Sequence, residues 1–464
     1  MTALWTSQDA ASATGGKSQG AAWMASGVSI DSRTVAKGDL FVALAGPNHD
    51  GHDHVASALK TGAVAALVHK ASTDQPLLIV GDSLEGLRKL GAASRSRTQA
   101  KIIGVTGSVG KTGTKEMLKL ALCDEDATHA SVGSFNNHWG VPLSLARMPA
   151  ASKFGVFELG MNHAGEITPL TALVRPDIAI VTTVEAVHLE FFASTEQIAE
   201  AKAEIFTGVT EGGTAVLPRD NPYYQLLRQR AEQAGIRKFR SFGTHAEADA
   251  RLLDYAVTAD KTLVFAMIGG QSLSYSIGVA GRPWAINSLA VLLAAEAAGV
   301  ALDRAAAALQ KMAPPKGRGE RRDLPWGDGQ ITLIDESYNA SPVSVRAALG
   351  TLGSVEPPKG GRRIAVLGDM LELGEAGPGL HRGLADAVAE NRIDLLFTAG
   401  PLMEGLSRAV DASHRGAHAM DSAQLAPMVA DALRSGDVVM IKGSAGSRMG
   451  RIVALLSERG NHAL

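Results

Sequence analysis

Cysteine is nearly missing from this chain, with one residue, Cys123, among 464. A lone thiol builds no disulfide framework and no cysteine-ligated zinc or iron–sulfur centre, and it fits a reducing cytoplasm. Neither sign of charge is in excess: 45 Lys and Arg stand against 47 Asp and Glu, a net of −2. Any anionic ligand therefore has to be held by local arrangement, and general coating of nucleic acid is not expected. No apolar run is long enough to span a membrane. The most apolar stretch, residues 289–300, is interrupted by Glu296, and the first twenty residues lack the basic and apolar segments of an export signal.

What is present is an alternation. Short apolar runs that read as strands buried on both faces alternate with alanine- and leucine-rich stretches of helical period, the pattern of parallel sheets covered by helices. At about 150 residues per domain the length suggests roughly three domains. The first, over 1–98, holds the strands DLFVALAG, AVAALV and LLIV. The basic, serine-containing stretch 88–101 leads from it into KIIGVTG, where the second begins, spanning 99–313. The segment KMAPPKGRGERRD (311–323), dense in Pro, Gly and charge, reads as a linker into a third, Rossmann-like domain over 314–464, with strands ITLID, RIAVLG, DLLFTAG and DVVMIKG. The expected fold is thus α/β in three domains: a central P-loop domain on a parallel sheet, a smaller N-terminal α/β domain and a C-terminal Rossmann-like domain.

The strongest chemical signal is Thr106-Gly107-Ser108-Val109-Gly110-Lys111-Thr112, which follows a strand and opens a helix. Backbone N–H groups of such a turn, the helix N-terminus and a lysine hold polyphosphate, while a Thr hydroxyl can ligate Mg²⁺. The usual phosphate loop has glycine five residues before Gly110; here Val105 stands there and glycine falls at Gly107. ATP and Mg²⁺ are the cofactors this variant points to.

With TGSVGKT as anchor, the chain resembles the Mur ligase family over nearly its whole length. The carrying motifs are DSRTVAKGDLFVAL and DGHDH near the start, SFNNHWGVPLSL, VFELGMN, VHLEFF with IAEAKAEIF, GRPWAINSLA, LIDESYNASP and VLGDMLELGE. The last two look like the branch that adds D-alanyl-D-alanine, and no DNPR-type segment of the diaminopimelate-adding branch is found. The resemblance implies an ATP-dependent amide ligase in peptidoglycan precursor synthesis. Its substrates would be UDP-N-acetylmuramoyl-tripeptide and D-alanyl-D-alanine, used by a cytoplasmic monomer without membrane insertion. Two other readings compete: a folylpolyglutamate synthetase-like ligase adding a single amino acid, against which the first domain argues, and a non-catalytic P-loop switch.

The candidate site residues each carry a second reading. Glu158 ends a buried run, where a carboxylate needs a partner; it is either a structural acid or, as the resemblance implies, a Mg²⁺ ligand. His188 follows the strand IAIVTT, at the end of the sheet where open α/β folds bind ligands, and is structural or a Mg²⁺ ligand. Lys202 lies on a helix opened by a capping box, Ser194 to Gln197. Its neighbours at three and four residues are Ile198, Ala199, Ile205 and Phe206, with Glu196, Glu200 and Glu204 on a separate polar row. It either snorkels to water or is buried as a nucleophilic amine, and the resemblance implies carbamylation and a place beside Mg²⁺.

Asn136 and Asn137 match the family's substrate-contacting asparagines, or form an Asx turn. Asn287 matches an adenine-side asparagine, although Pro283-Trp284 replaces the His-Asn usual there. Asp335 and Asn339 are assigned to ribose and adenine. Arg318 matches an arginine that the family extends toward the γ-phosphate, with Arg321 and Arg322 as competing counterparts and a solvated linker as the alternative. Asp31, Ser32 and Arg33 are assigned to the UDP moiety. His49, His52 and His54, interleaved with Asp50 and Asp53, imitate a metal cluster but sit on a glycine turn that reads equally as a capped loop.

Overall fold

A computed structural model describes residues 3–70, 75–122, 128–258 and 260–462, so Cys123 lies outside the described residues. Three separate sheets carry the fold. The first has five strands in the order Lys17–Gln19, Leu77–Ile79, Ala65–Val68, Asp39–Val42, Gly27–Ser29, all parallel except the first pair. The second has nine, in the order Gln271–Ile277, Thr262–Ile268, Ala250–Val257, Lys238–Gly243, Thr214–Pro218, Ile178–Val181, Lys101–Thr106, Phe154–Glu158, Thr128–Ala130. It is parallel throughout except for the two strands that extend it antiparallel beyond Ala250–Val257. The third has six: Glu320–Trp326, Gly329–Glu336, Val438–Lys442, Arg363–Gly368, Leu395–Ala399 and Arg415–Ala419.

Strand alternation explains why the central strands are continuously apolar. In Lys101–Thr106, Ile103 and Val105 enter the core on one face of the sheet while Ile102 enters the core on the other. Val438–Lys442 repeats this in the third sheet, with Val438 and Met440 on one side and Val439 and Ile441 on the other. The helix Arg282–Ala297 supplies the fully buried run 289–295, and Glu296, which breaks that run in the sequence, turns to Arg240 at 3.7 Å.

Two connecting segments differ from their sequence reading. Residues 88–97 belong to a 15-residue helix, Ser83–Arg97, whose Gly91 lets it approach the backbone of Pro142 closely. Its basic residues bind carbonyls: Arg95 donates to the oxygens of Val174 and Arg175 at 2.7 and 2.9 Å. In the second segment, Glu320–Trp326 is an edge strand paired antiparallel with Gly329–Glu336, so the linker ends before Glu320.

The first two sheets are joined by a shared core, in which Trp5, Val28, Leu87 and Leu90 pack with Leu143 and Ala146. Trp5 Nε1 donates to Ala146 O at 2.9 Å and Arg147 Nε to Val28 O at 2.6 Å across this joint. The third sheet meets the second differently, through loops that face each other across a cleft of about 780 Å³.

Candidate active site

The cleft lies at the carboxyl ends of the parallel strands, where side chains and N–H groups are free of the ladder. Val105 is a buried strand residue paired with Glu158 and Ile180, so the phosphate loop turns two residues later. Gly107 takes φ 145 and Gly110 φ 87, in the region that favours glycine. A Cβ on Gly107 would overlap Thr182 Oγ1, which donates to Val109 O at 2.6 Å. Lys111 Nζ donates to Gly107 O at 2.6 Å, and burial lowers its pKa. Ser108 exchanges hydrogen bonds with Glu185, donating to its carbonyl at 3.1 Å and accepting from its N–H at 2.9 Å. Thr106 is fully buried beneath the turn.

Glu158 is 1% exposed and both its oxygens are held. Thr112 Oγ1 donates to Oε2 at 2.9 Å, and Asn136 Nδ2 donates to Oε1 at 2.7 Å. Ser134 Oγ lies 3.2 Å from Thr112 Oγ1 and accepts from Arg318 Nη2 at 3.4 Å. Arg318, whose guanidinium stacks over the Tyr338 ring at 4.1 Å, thus reaches this group from the third domain. Arg318 lines the cleft, whereas Arg321 and Arg322 lie on the edge strand and do not. The two asparagines divide: Asn136 faces Glu158, while Asn137 Oδ1 accepts from Trp139 N at 3.4 Å and Gly140 N at 2.9 Å, as in an Asx turn just before the helix Gly140–Ala146.

Lys202 is 2% exposed, so it does not snorkel. Among the described residues no carboxylate pairs with it. Burial, and then the nearby Lys111 charge, push its pKa well below the usual lysine value. Ser194 caps its helix, but Gln197 returns to Ala193 N–H rather than closing a box, and the helix tightens into a 3₁₀ turn at Glu204. Glu204, on the polar row, accepts with its carboxylate the N–H groups of Gly165, Ile167 and Thr168, at the start of the helix Ile167–Val174. His188 sits in the left-handed region at φ 56, with Nδ1 2.6 Å from Glu372 Oε2 of the third domain.

Asn287 lines the cleft and packs against the phosphate turn, where a Cβ on Gly110 would come within 2.6 Å of its Nδ2. Trp284 fills the space above Gly113 in the helix Lys111–Ala121, and Pro283 occupies the first turn of its own helix. Asn339 lines the cleft, but Asp335 does not: it is 3% exposed and accepts from Ser337 N and Oγ at 3.0 and 2.6 Å, leaving its neighbour Glu336 at the cleft.

In the first domain, Arg33 forks Asp31 at 2.9 and 2.7 Å, which holds the Asp31 carboxyl at about 2. Neither these two nor Ser32 lines the cleft. Of the histidine loop, His52 pairs with Asp50 at 2.5 Å, and His69 joins it edge to face at 4.2 Å. Among the described residues no three His, Cys, Asp or Glu side chains gather as a metal-binding group. At the phosphate loop, Thr112 and Glu158 set two side-chain oxygens 2.9 Å apart.

Family models match this chain along its length: Mur ligase family, catalytic domain, at 25–112; Mur ligase middle domain at 105–295; and Mur ligase, glutamate ligase domain, at 317–445. The chain belongs to the Mur ligase family. A relative from Rickettsia prowazekii, named UDP-N-acetylmuramoyl-tripeptide--D-alanyl-D-alanine ligase, is 33% identical over 92% of this chain and 94% of its own length. The crystal structure of MurF from Acinetobacter baumannii superposes with a TM-score of 0.84 at 28% identity, covering 98% of this chain and 99% of that one. MurF from Thermotoga maritima in complex with ADP gives 0.77 at 27% identity, covering 94% and 98%.

Several residues of this Mur ligase that shape the site are not among the sequence candidates. Lys115, fully buried one turn after Lys111, donates to Ser131 O and Gly133 O at 2.6 and 2.7 Å and pairs with Glu116. Lys442 donates to Glu336 and to Asn339 O at 3.1 and 3.0 Å. Helical spacing from Lys111 was a signal available for Lys115. For Ser134, Tyr338 and Glu372 no sequence signal existed beyond their place in family motifs.

Proposed function

We propose that this Mur ligase uses ATP to join the amine of D-alanyl-D-alanine to the terminal carboxylate of UDP-N-acetylmuramoyl-tripeptide, in the cytoplasmic synthesis of peptidoglycan precursors. The observation that carries this is full-length relatedness to ligases of that name, combined with a phosphate loop and third-domain loops that share one cleft. The peptide carboxylate attacks the γ-phosphorus to give an acyl phosphate and ADP. The dipeptide amine then attacks the acyl carbon, and phosphate leaves. We take the domains as 1–98, 99–313 and 314–464, and the working form as a monomer.

Two anions meet in the first step, so the chain's cations matter most there. Lys111 and Arg318 approach the same point from two domains, and the N–H groups of residues 107–112 present donors to polyphosphate. The donor chemistry suits Mg²⁺, a hard cation that prefers oxygen: Thr112 and Glu158 offer oxygens 2.9 Å apart. A buried lysine without a carboxylate partner favours the neutral amine, which can take up CO₂ and become a carboxylate; Lys202 meets that condition. His188 completes the set. When bound, Mg²⁺ supplies the charge that lets the carboxylate reach the γ-phosphate. Asn136 fixes Glu158, Asn287 and Asn339 border the nucleotide, and Asp31, Ser32 and Arg33 stand at the UDP end.

Replacing the amine with hydroxylamine tests this reading: a hydroxamate of the UDP-linked peptide should accumulate with ADP, and D-alanyl-D-alanine should outcompete D-alanine, D-glutamate and diaminopimelate. AMP among the products rules out the acyl phosphate. Equal use of a single amino acid selects the alternative ligase, and ATP hydrolysis indifferent to both substrates selects the switch.

A further inference from the structure

Two left-handed residues meet across the cleft. His188, φ 56, belongs to the loop after the central strand Ile178–Val181; Glu372, φ 63, belongs to the loop after the third-domain strand Arg363–Gly368. Neither is glycine, and such backbone is held only where surrounding contacts over-determine it. Here the contacts are double. The imidazole Nδ1 lies 2.6 Å from Glu372 Oε2, and Glu190 N–H donates to the Glu372 carbonyl at 3.2 Å. Gly374, φ 54, allows the approach, since a Cβ there would lie 3.3 Å from the Glu190 Cα.

Each loop is anchored to something that matters. On the third-domain side, Met370 N–H donates to buried His381, Leu371 N–H to Ser444 Oγ, and Asp369 accepts from Met403 N–H, all at 2.9 Å. On the central side, Val187 N–H donates to Glu185 O, and Glu185 is in turn bonded through its own N–H and carbonyl to Ser108 of the phosphate loop. Hydrogen bonds from Ser108 through Glu185 to Val187, the peptide link from Val187 to His188, and the His188–Glu372 contact therefore join the phosphate loop to the third domain.

We propose that Glu372 is a positioning residue that couples third-domain closure to the cation site. When the third domain arrives, its carboxylate takes the Nδ1 proton of His188 in a hydrogen bond, fixes the ring and leaves Nε2 as the nitrogen free for a ligand. When the third domain withdraws, His188 loses its orienting partner and the strained loop relaxes. Premature hydrolysis of ATP is thereby discouraged while the cleft is open. The inference rests on the ligase reading in one respect, the assignment of His188 to the cation site.

The test compares wild type, Glu372→Ala, Glu372→Gln and Gly374→Ala. Small-angle scattering with a non-hydrolysable ATP analogue and the UDP-linked peptide reads closure, Mn²⁺ binding by electron paramagnetic resonance reads the site, and steady-state kinetics separate kcat from KM. Glu372→Ala should lower kcat at least tenfold, leave the KM for ATP within threefold, weaken Mn²⁺ binding in the closed complex and reduce compaction. Glu372→Gln, which keeps an acceptor oxygen, should recover most of the compaction and part of kcat. Gly374→Ala should reproduce the loss of compaction with both side chains intact. The proposal is overturned if Glu372→Ala compacts and binds Mn²⁺ as wild type does, or if Glu372→Gln recovers nothing while both variants melt with wild type. Failure of wild type itself to ligate would overturn the ligase reading instead, and compaction and Mn²⁺ binding would still report on the clasp.

Discussion

Lys115 Nζ donates to the carbonyl of Gly133 at 2.7 Å, tying the helix that begins at the phosphate loop to the loop that carries Ser134 and Asn136. The ammonium is fully buried, and its remaining hydrogens go to Ser131 O and Glu116. Removing it strands two carbonyls. Lys115→Met should lower stability by about 1–3 kcal/mol. More tellingly, it should raise the KM for the UDP-linked peptide several-fold while the KM for ATP stays near wild type, because the phosphate turn itself is intact. Equal losses for both substrates in steady-state kinetics would reduce Lys115 to a purely structural residue.

Lys202 offers a chemical test. Lys202→Ala removes the proposed carbamate and leaves a small space beside Lys111, so turnover should fall roughly 10²-fold or more. Added formate or acetate should enter that space and restore part of the activity. Glu158→Ala should respond less, since that carboxylate is enclosed by Thr112 and Asn136. Near-normal turnover of Lys202→Ala, or an unmodified lysine by mass spectrometry at high CO₂, would refute the carbamate.

Gly113 and Trp284 should behave as a coupled pair. A Cβ on Gly113 would come 2.8 Å from the indole ring, so Gly113→Ala overpacks the phosphate-loop helix and should cost about 1–3 kcal/mol. Trp284→Leu in the same chain should recover most of that loss, seen as a rise in Tm. Additive effects in the double variant would show that the two do not touch.

His129 predicts an acid limit. Burial holds its pKa at about 4 against 6.5 when unfolded, and Nε2 donates to Ser144 O at 2.7 Å. A depressed histidine pKa means that the unfolded chain binds the proton more tightly, so the contribution is present above pH 6.5 and is lost as pH falls toward 4. Between pH 7.5 and 5 this amounts to roughly 2 kcal/mol. His129→Gln should therefore lose less stability than wild type over that interval in urea titrations, and an identical slope would exclude His129 as the cause.

Legibility followed burial. Strands covered on both faces, such as Lys101–Thr106 and Val438–Lys442, announce themselves as apolar runs, and the phosphate loop has a local pattern. The edge strands Glu320–Trp326 and Arg415–Ala419 do not, because one side of each is solvent and their charges read as linker or loop. Site residues divide in the same way. Glu158 was readable because a carboxylate ending a buried run needs partners, here Thr112 and Asn136. Asp335 was not separable from Glu336, since strand parity decides which of two adjacent acids meets the cleft. Glu372 could not be read at all: its partner lies 184 residues earlier in the chain.

The core that Trp5, Leu87 and Leu90 share with Leu143 and Ala146, pinned by Arg95 and Arg147, has a metrical consequence. The span from the first sheet to the phosphate loop is set by close-packed side chains and short hydrogen bonds. On the proposed assignment of the UDP moiety to Asp31, Ser32 and Arg33, the other end of the substrate would meet the phosphate loop at a fixed reach. On that proposal the first two domains would act as a ruler for the length of the peptide stem.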